Sequence, residues 1–140
     1  MAILLDASAI LAAADRADLN HAAAAAWFAR VDEPLLIGAL TLAEADHLLQ
    51  RELGLPATLA LVSALTSGAV RVIAPTGPDL DRAAALLGAA AEHRPRLSDA
   101  LLVAAAERLG VRRIATFDRR PLAVLASRGS RGERLLDFEP

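Results

Sequence analysis

An α/β domain built on a central parallel sheet is predicted for this chain, and three observations predict it. Short apolar runs alternate with longer helix-patterned stretches, the mark of repeated βαβ units. Glycine and proline punctuate the boundaries, at Gly54 and Pro56, at Gly68, across Pro75–Pro78 and at Gly110. The length, 140 residues, suits one domain with a real core.

The elements follow in order. A first strand is expected near 2–6, where Ile3, Leu4 and Leu5 form an apolar run that Asp6 closes. Alanine-rich helices follow near 8–16 and 19–31, then a second strand near 35–39 around Leu35, Leu36 and Ile37. Helices near 42–53 and 56–67 form a hairpin broken by Gly54 and Pro56. Leu48, Leu49, Leu53, Leu59, Val62 and Leu65 make that hairpin unusually apolar, and most of them are expected in the core. A third strand is expected near 70–74 and a helix near 77–92. A helix near 98–109 ends at Gly110, and a fourth strand near 112–116 contains Ile114. The pattern closes with a helix near 120–127 and a strand near 134–138. No linker, low-complexity tail or internal repeat divides the chain, so one domain is expected over 1–140.

Composition removes several chemistries. There is no cysteine, which excludes disulfides, zinc–thiolate sites and cysteine nucleophiles. All fifteen basic residues are arginine, which excludes a Walker A lysine, a Schiff base and a lysine general base. It also disfavours phosphatases and receiver domains that pair a strand-end aspartate with a lysine. No apolar stretch approaches the ~20 residues that span a bilayer. The first residues lack a basic segment, so a cytoplasmic protein without a membrane partner is expected. Charge is unevenly placed. Residues 1–93 carry five arginines and eleven acids, a net of −6, while residues 94–134 carry ten arginines and four acids, a net of +6. A basic C-terminal third is either the footprint of a polyanion or a solvated surface with scattered arginines.

Four carboxylates carry the functional signal. Asp6 follows the first strand, Glu44 comes shortly after the second, Asp99 opens a helix, and Asp118 follows the fourth strand. Each has a plain structural use. Asp6 can cap the following helix. Thr41 and Glu44 fit a capping box, with Thr41 at the N-cap and Glu44 three residues on. Asp99 can complement a helix dipole behind Ser98 as N-cap, and Asp118 can cap a short helix. Asp46 points away from Glu44 and is expected in solvent, and His47 is expected on the helix surface. The joint pattern is harder to explain by capping alone. In open α/β sheets, sites form outside the carboxyl ends of the strands, where strand order reverses. Acids at strand ends and helix starts meet there. Clustered carboxylates with no lysine among them call for cations, most simply Mg²⁺ or Mn²⁺, and hence for metal-dependent phosphodiester cleavage. Ser8 and Thr116 can aim hydroxyls at the same point. Arg119 and Arg120, beside Asp118, are candidates for binding substrate phosphates or for restraining the carboxylates when metal is absent; the alternative is a surface ion pair with Asp118. Arg94, Arg96, Arg112 and Arg113 are weaker candidates.

With these residues in place, the chain resembles the PIN-domain nucleases, and within them the VapC-type toxins of bacterial toxin–antitoxin modules. The matching pieces are Leu4-Leu5-Asp6-Ala7-Ser8-Ala9-Ile10-Leu11, Thr41-Leu42-Ala43-Glu44, Leu97-Ser98-Asp99-Ala100 and Ala115-Thr116-Phe117-Asp118-Arg119-Arg120. They cover essentially the whole chain in order. The resemblance implies a single PIN-like domain, with a central parallel sheet of about five strands and helices on both faces. It implies Asp6, Glu44, Asp99 and Asp118 as the catalytic set, with Asp6, Asp99 and Asp118 as ligands of Mg²⁺ or Mn²⁺. Glu44 would complete that shell or help hold a second ion, and Ser8 and Thr116 would assist. The implied reaction is hydrolysis of RNA, in tRNA or rRNA, leaving a 3′-hydroxyl and a 5′-phosphate. A cognate antitoxin and a homodimer are implied as partners. The chain departs from the pattern in two places. Many relatives have a further acid where this chain has His93 and Arg94, and an acid or histidine where it has Pro121. The four principal acids are intact, so an active enzyme is expected. The competing readings are a catalytically silent PIN-like module that binds RNA or protein, and a phosphatase of small phosphoesters.

Overall fold

Strand β1 (Ile3–Leu5) is apolar at every position and buried at every position, so it belongs in the middle of a sheet covered on both faces. The computed structural model, which describes residues 1–129 and 137–140, places it there. The sheet has five parallel strands in the order β3-β2-β1-β4-β5, with β2 Leu35–Gly38, β3 Val70–Ile73, β4 Arg113–Ala115 and β5 Asp137–Glu139. The expected strand near 134–138 is therefore found at its C-terminal part; residues 134–136 lie outside the described residues.

Side chains alternate between the two faces with the period of two that a strand imposes. Leu4, Leu36 and Ile114 point to one side and pack with α5 (Gly77–Ala89), α6 (Leu97–Leu109) and α7 (Arg119–Gly129). Ile3, Leu5, Ile37 and Ala115 point to the other and pack with α1 (Ala7–Ala14), α2 (His21–Arg30), α3 (Ala39–Leu53) and α4 (Leu55–Thr66). Leu101, Leu102 and Val103 of α6 are all buried, because α3, α5 and α7 pack on this helix as well as the sheet.

Two helix starts and one helix end differ from expectation, each for a local reason. Helix α3 begins at Ala39, because Gly38 itself takes the extended N-cap conformation directly at the end of β2. Thr41 is thus inside the helix and buried, and the Thr41–Glu44 capping box does not form. A capping box does form between Thr76 and Asp79 at the start of α5. Helix α6 starts at Leu97 with Arg96 as N-cap, which puts Ser98 in the first turn instead of at the cap. The helix expected over 77–92 is interrupted: α5 stops at Ala89, and a 3₁₀ turn over Ala91–His93 ends with Arg94 in the left-handed region at φ 49°. Pro95 cannot continue a helix and lies in the turn that delivers Arg96 and Asp99 to the same edge as Asp6.

The α3–α4 hairpin is less buried than expected. Leu49 is fully buried, and Leu48 and Leu65 pack partly against the core, but Leu53, Leu59 and Val62 are exposed. Asp46 is not merely solvated. Its Oδ1 accepts from Thr58 at 2.7 Å and from Gln50 at 2.9 Å, tying the two helices together.

Candidate metal centre

The chain leaves β1 toward β2 and β3 on one side, and β4 and β5 lie on the other, so strand order reverses at β1. Asp6 stands at that point, immediately after β1. Its backbone N–H donates to Ala115 of β4 at 3.0 Å, and its Oδ1 accepts from the N–H of Ala7 at 2.9 Å. The capping role and the site position are therefore the same position. Asp6 Oδ2 accepts from Ser8 Oγ at 2.8 Å and from Thr116 Oγ1 at 2.7 Å.

These hydroxyls are themselves held. Phe117 N–H donates to Ser8 Oγ at 3.0 Å and Asp118 N–H donates to Thr116 Oγ1 at 2.9 Å, and the two oxygens are 3.1 Å apart. Each hydroxyl has one proton. With both protons given to Asp6 Oδ2, the Ser8–Thr116 contact is a close approach, not a third bond. A carboxylate offers about four acceptor directions; three are used, and the one left open belongs to Oδ1. The arrangement fixes Asp6 in a single orientation and leaves it an oxygen to offer.

Asp6, Ser8, Glu44, Asp99 and Asp118 line one cleft of about 580 Å³, together with Arg96 and Arg120. The four acids predicted from sequence thus share one cavity, supplied by β1, α3, α6 and the β4–α7 turn. His93, Arg94 and Pro121, the positions of departure, line the same cleft. Asp99 is 9% exposed and its pKa is pushed up to about 6, first by burial, then by the charges of Asp6 and Asp118, with Arg96 acting in the opposite direction. Burial is the larger cause; the part owed to Asp6 and Asp118 is mutual repulsion, the condition under which a cluster favours a cation. Among the described residues, Glu44 Oε2 is a buried atom without a hydrogen-bond partner.

The donors are all oxygens, which suits a hard divalent cation. Among the described residues no group of three or more His, Asp or Glu side chains is drawn together closely enough to enclose a metal. Mg²⁺ does not need such an enclosure, since it retains several waters and takes one or two carboxylates. The repelling acids, the open Asp6 Oδ1 and the unpartnered Glu44 Oε2 fit an ion of that kind.

The arginines are distributed differently from expectation. Arg119 turns away and donates to the Pro140 carbonyl at 3.0 Å. Arg120 does line the cleft. The carboxylates are restrained by Arg96, whose Nη2 contacts Glu44 Oε1 and whose Nε lies 3.9 Å from Asp99 Oδ2. Helix periodicity contains the signal for this, because Arg96 and Asp99 are three residues apart at a helix start. Arg113 does not line the cleft: its guanidinium holds Glu33 and Glu139. His47 stays on the exposed face of α3.

A family model of the PIN domain matches residues 3–127. Ribonuclease VapC26 of Mycobacterium tuberculosis is 30% identical over 123 residues, covering 88% of this chain and 91% of VapC26. Among solved structures, VapC20 of Mycobacterium tuberculosis, a sarcin-ricin loop cleaving toxin, matches with a TM-score of 0.79 at 26% identity, over 86% of this chain and 93% of VapC20. FitAcB from Neisseria gonorrhoeae matches with a TM-score of 0.68 over 99% of this chain and 96% of its own; at 18% identity that likeness is one of fold.

Proposed function

This chain belongs to the PIN-domain family, and from that premise we propose that it is a metal-dependent endoribonuclease, the toxin of a toxin–antitoxin pair. The observation that carries the proposal is the convergence of Asp6, Glu44, Asp99 and Asp118 on one cleft, with Asp99 raised to about 6 by burial and by its acidic neighbours. Similarity to VapC26 and VapC20 supports RNA as the substrate and structured RNA as its class. The partners proposed with it are a cognate antitoxin and a second copy of the chain.

Asp6, Asp99 and Asp118 are the residues proposed to hold Mg²⁺, or Mn²⁺ in its place, with Glu44 at the edge of the shell. Such an ion, when bound, polarises a phosphoryl oxygen and makes water a better nucleophile at neutral pH. The protein's own part is positioning. Ser8 and Thr116 hold Asp6 in one orientation through two hydrogen bonds to its Oδ2. Leu48, Pro121 and Val124 give the cleft an apolar wall. Arg120 places a guanidinium beside Asp118, where a flanking phosphate can be met.

The test is RNA cleavage with mapping of new 5′-ends, in Mg²⁺ and after chelation. Asp6→Asn and Asp99→Asn, each nearly isosteric, are expected to fold and to lose about 100-fold or more of the rate. Wild-type cleavage by either variant at saturating Mg²⁺ would overturn the ligand assignment. RNA binding without any new ends would favour a silent binding module instead.

A further inference from the structure

Arg96 is an odd choice for its position. It is the N-cap of α6, where small oxygen-bearing side chains are preferred and where a cation opposes the helix dipole. Its side chain makes no capping hydrogen bond. Capping therefore does not explain it. Instead the guanidinium reaches across the cleft and bridges two elements, contacting Glu44 of α3 and lying 3.9 Å from Asp99 of α6. The side chain is 62% exposed. It lines the cleft from an exposed position.

We propose that Arg96 is an intramolecular stand-in for the divalent cation, occupying Glu44 and Asp99 in the metal-free protein and giving them up when metal binds. The proposal rests on the metal-site reading above and adds a competitor to it. One guanidinium supplies one positive charge to two carboxylates, so it tempers their repulsion without cancelling it. A divalent ion supplies twice that charge at shorter range. The exposure of Arg96 leaves the exchange open to solvent. Apparent metal affinity is then set by a competition within the chain, and the cleft accepts metal only where the ion outbids Arg96. Residues 94–96 also keep their positive charge at the cleft mouth after the exchange, next to Arg120.

The competition is measured by Mn²⁺ binding to the full chain, followed by the EPR signal of the free ion. Arg96→Gln is expected to bind Mn²⁺ roughly two- to fivefold more tightly than wild type, the scale of an exposed ion pair. Arg96→Lys, which keeps the charge but loses the fork, is expected to fall between the two. Far-UV circular dichroism confirms folding, and Arg96→Lys carries the measurement should Arg96→Gln not fold. Wild-type binding with an unchanged or weaker affinity in the Arg96 variants overturns the role of Arg96 and leaves the metal site standing. Absence of Mn²⁺ binding in wild type and variants alike overturns both. Asp99→Asn serves as the control that loses the site.

Discussion

Two aspartates occupy the third position of a helix, Asp79 in α5 and Asp99 in α6, and both are buried. Their surroundings drive them apart. For Asp79, burial is the largest influence and raises the pKa, but Arg108 and the Thr76 backbone outweigh it and the carboxyl ends below its usual range. Its Oδ2 accepts from the Thr76 N–H at 3.0 Å, closing the capping box, and its Oδ1 accepts from Arg108 Nε at 2.8 Å. Asp99 has no cap partner of that kind. Burial, uncompensated by close hydrogen bonds, raises its pKa first; the charges of Asp6 and Asp118 add to it, and Arg96, 3.9 Å away, offsets only part, so the value reaches about 6. The same residue in the same helix position stabilises the fold in one place and costs stability in the other. A carboxylate left under-compensated in a cleft marks a functional site more reliably than burial or helix position does.

That contrast breaks most sharply under substitution. Asp99→Asn is expected to remove activity, as above, while Asp79→Asn should leave the activity of each folded molecule intact and lower stability by about 1–2 kcal/mol through loss of the Arg108 pair and the cap. Cleavage rates and denaturant melts on the two variants, side by side, check this. Equal losses of activity would mean that the two aspartates do not differ in kind.

The next effect is on pH dependence without metal. Asp99 titrates near 6 in the folded protein against an ordinary value of 3.8. Between those values the native state holds a proton that the unfolded chain has released. Stability from this group is therefore lost as pH rises from about 4 to about 6, and stays lost above. Asp79 runs the other way: its contribution is present above the ordinary carboxylate range and is lost as pH falls through its lowered folded value. Asp99→Asn should erase the first slope and, in chelator at pH 7, exceed wild type by ~2 kcal/mol. Melting curves from pH 4 to 8 in chelator decide it; an unchanged slope would assign the effect to another acid.

The smallest expected effect concerns the arginines. Arg108 is committed to Asp79, whereas Arg120 lines the cleft beside Asp118. Arg120→Ala, in an Asp99→Asn background that prevents cleavage, should weaken RNA binding and lower the salt slope by about one counterion. Arg119→Ala should do less, because Arg119 is engaged by the Pro140 carbonyl. A slope that Arg120→Ala leaves unchanged would remove Arg120 from substrate contact.

The apolar runs Ile3–Leu5, Leu35–Ile37 and Ile114–Ala115 were legible as strands because a strand buried on both faces leaves a local imprint, a short unbroken apolar stretch. That the four acids share one cleft was legible because parallel α/β topology brings strand ends and the starts of the helices to the same edge. Other features were decided only in three dimensions. Thr41 and Glu44 match a capping box in sequence, yet Gly38 starts the helix earlier and the box forms at Thr76 and Asp79. Arg119 and Arg120 adjoin Asp118 in sequence, yet it is Arg96 that spans Glu44 and Asp99. Arg108 finds Asp79 across 29 residues, and Arg113 finds Glu33 across 80. The division has a physical reason. Strand burial and strand-end position are imposed by the backbone and repeat along it, so the sequence carries them. A long charged side chain takes whichever partner the packed helices bring within its reach, and only the tertiary structure sets that distance.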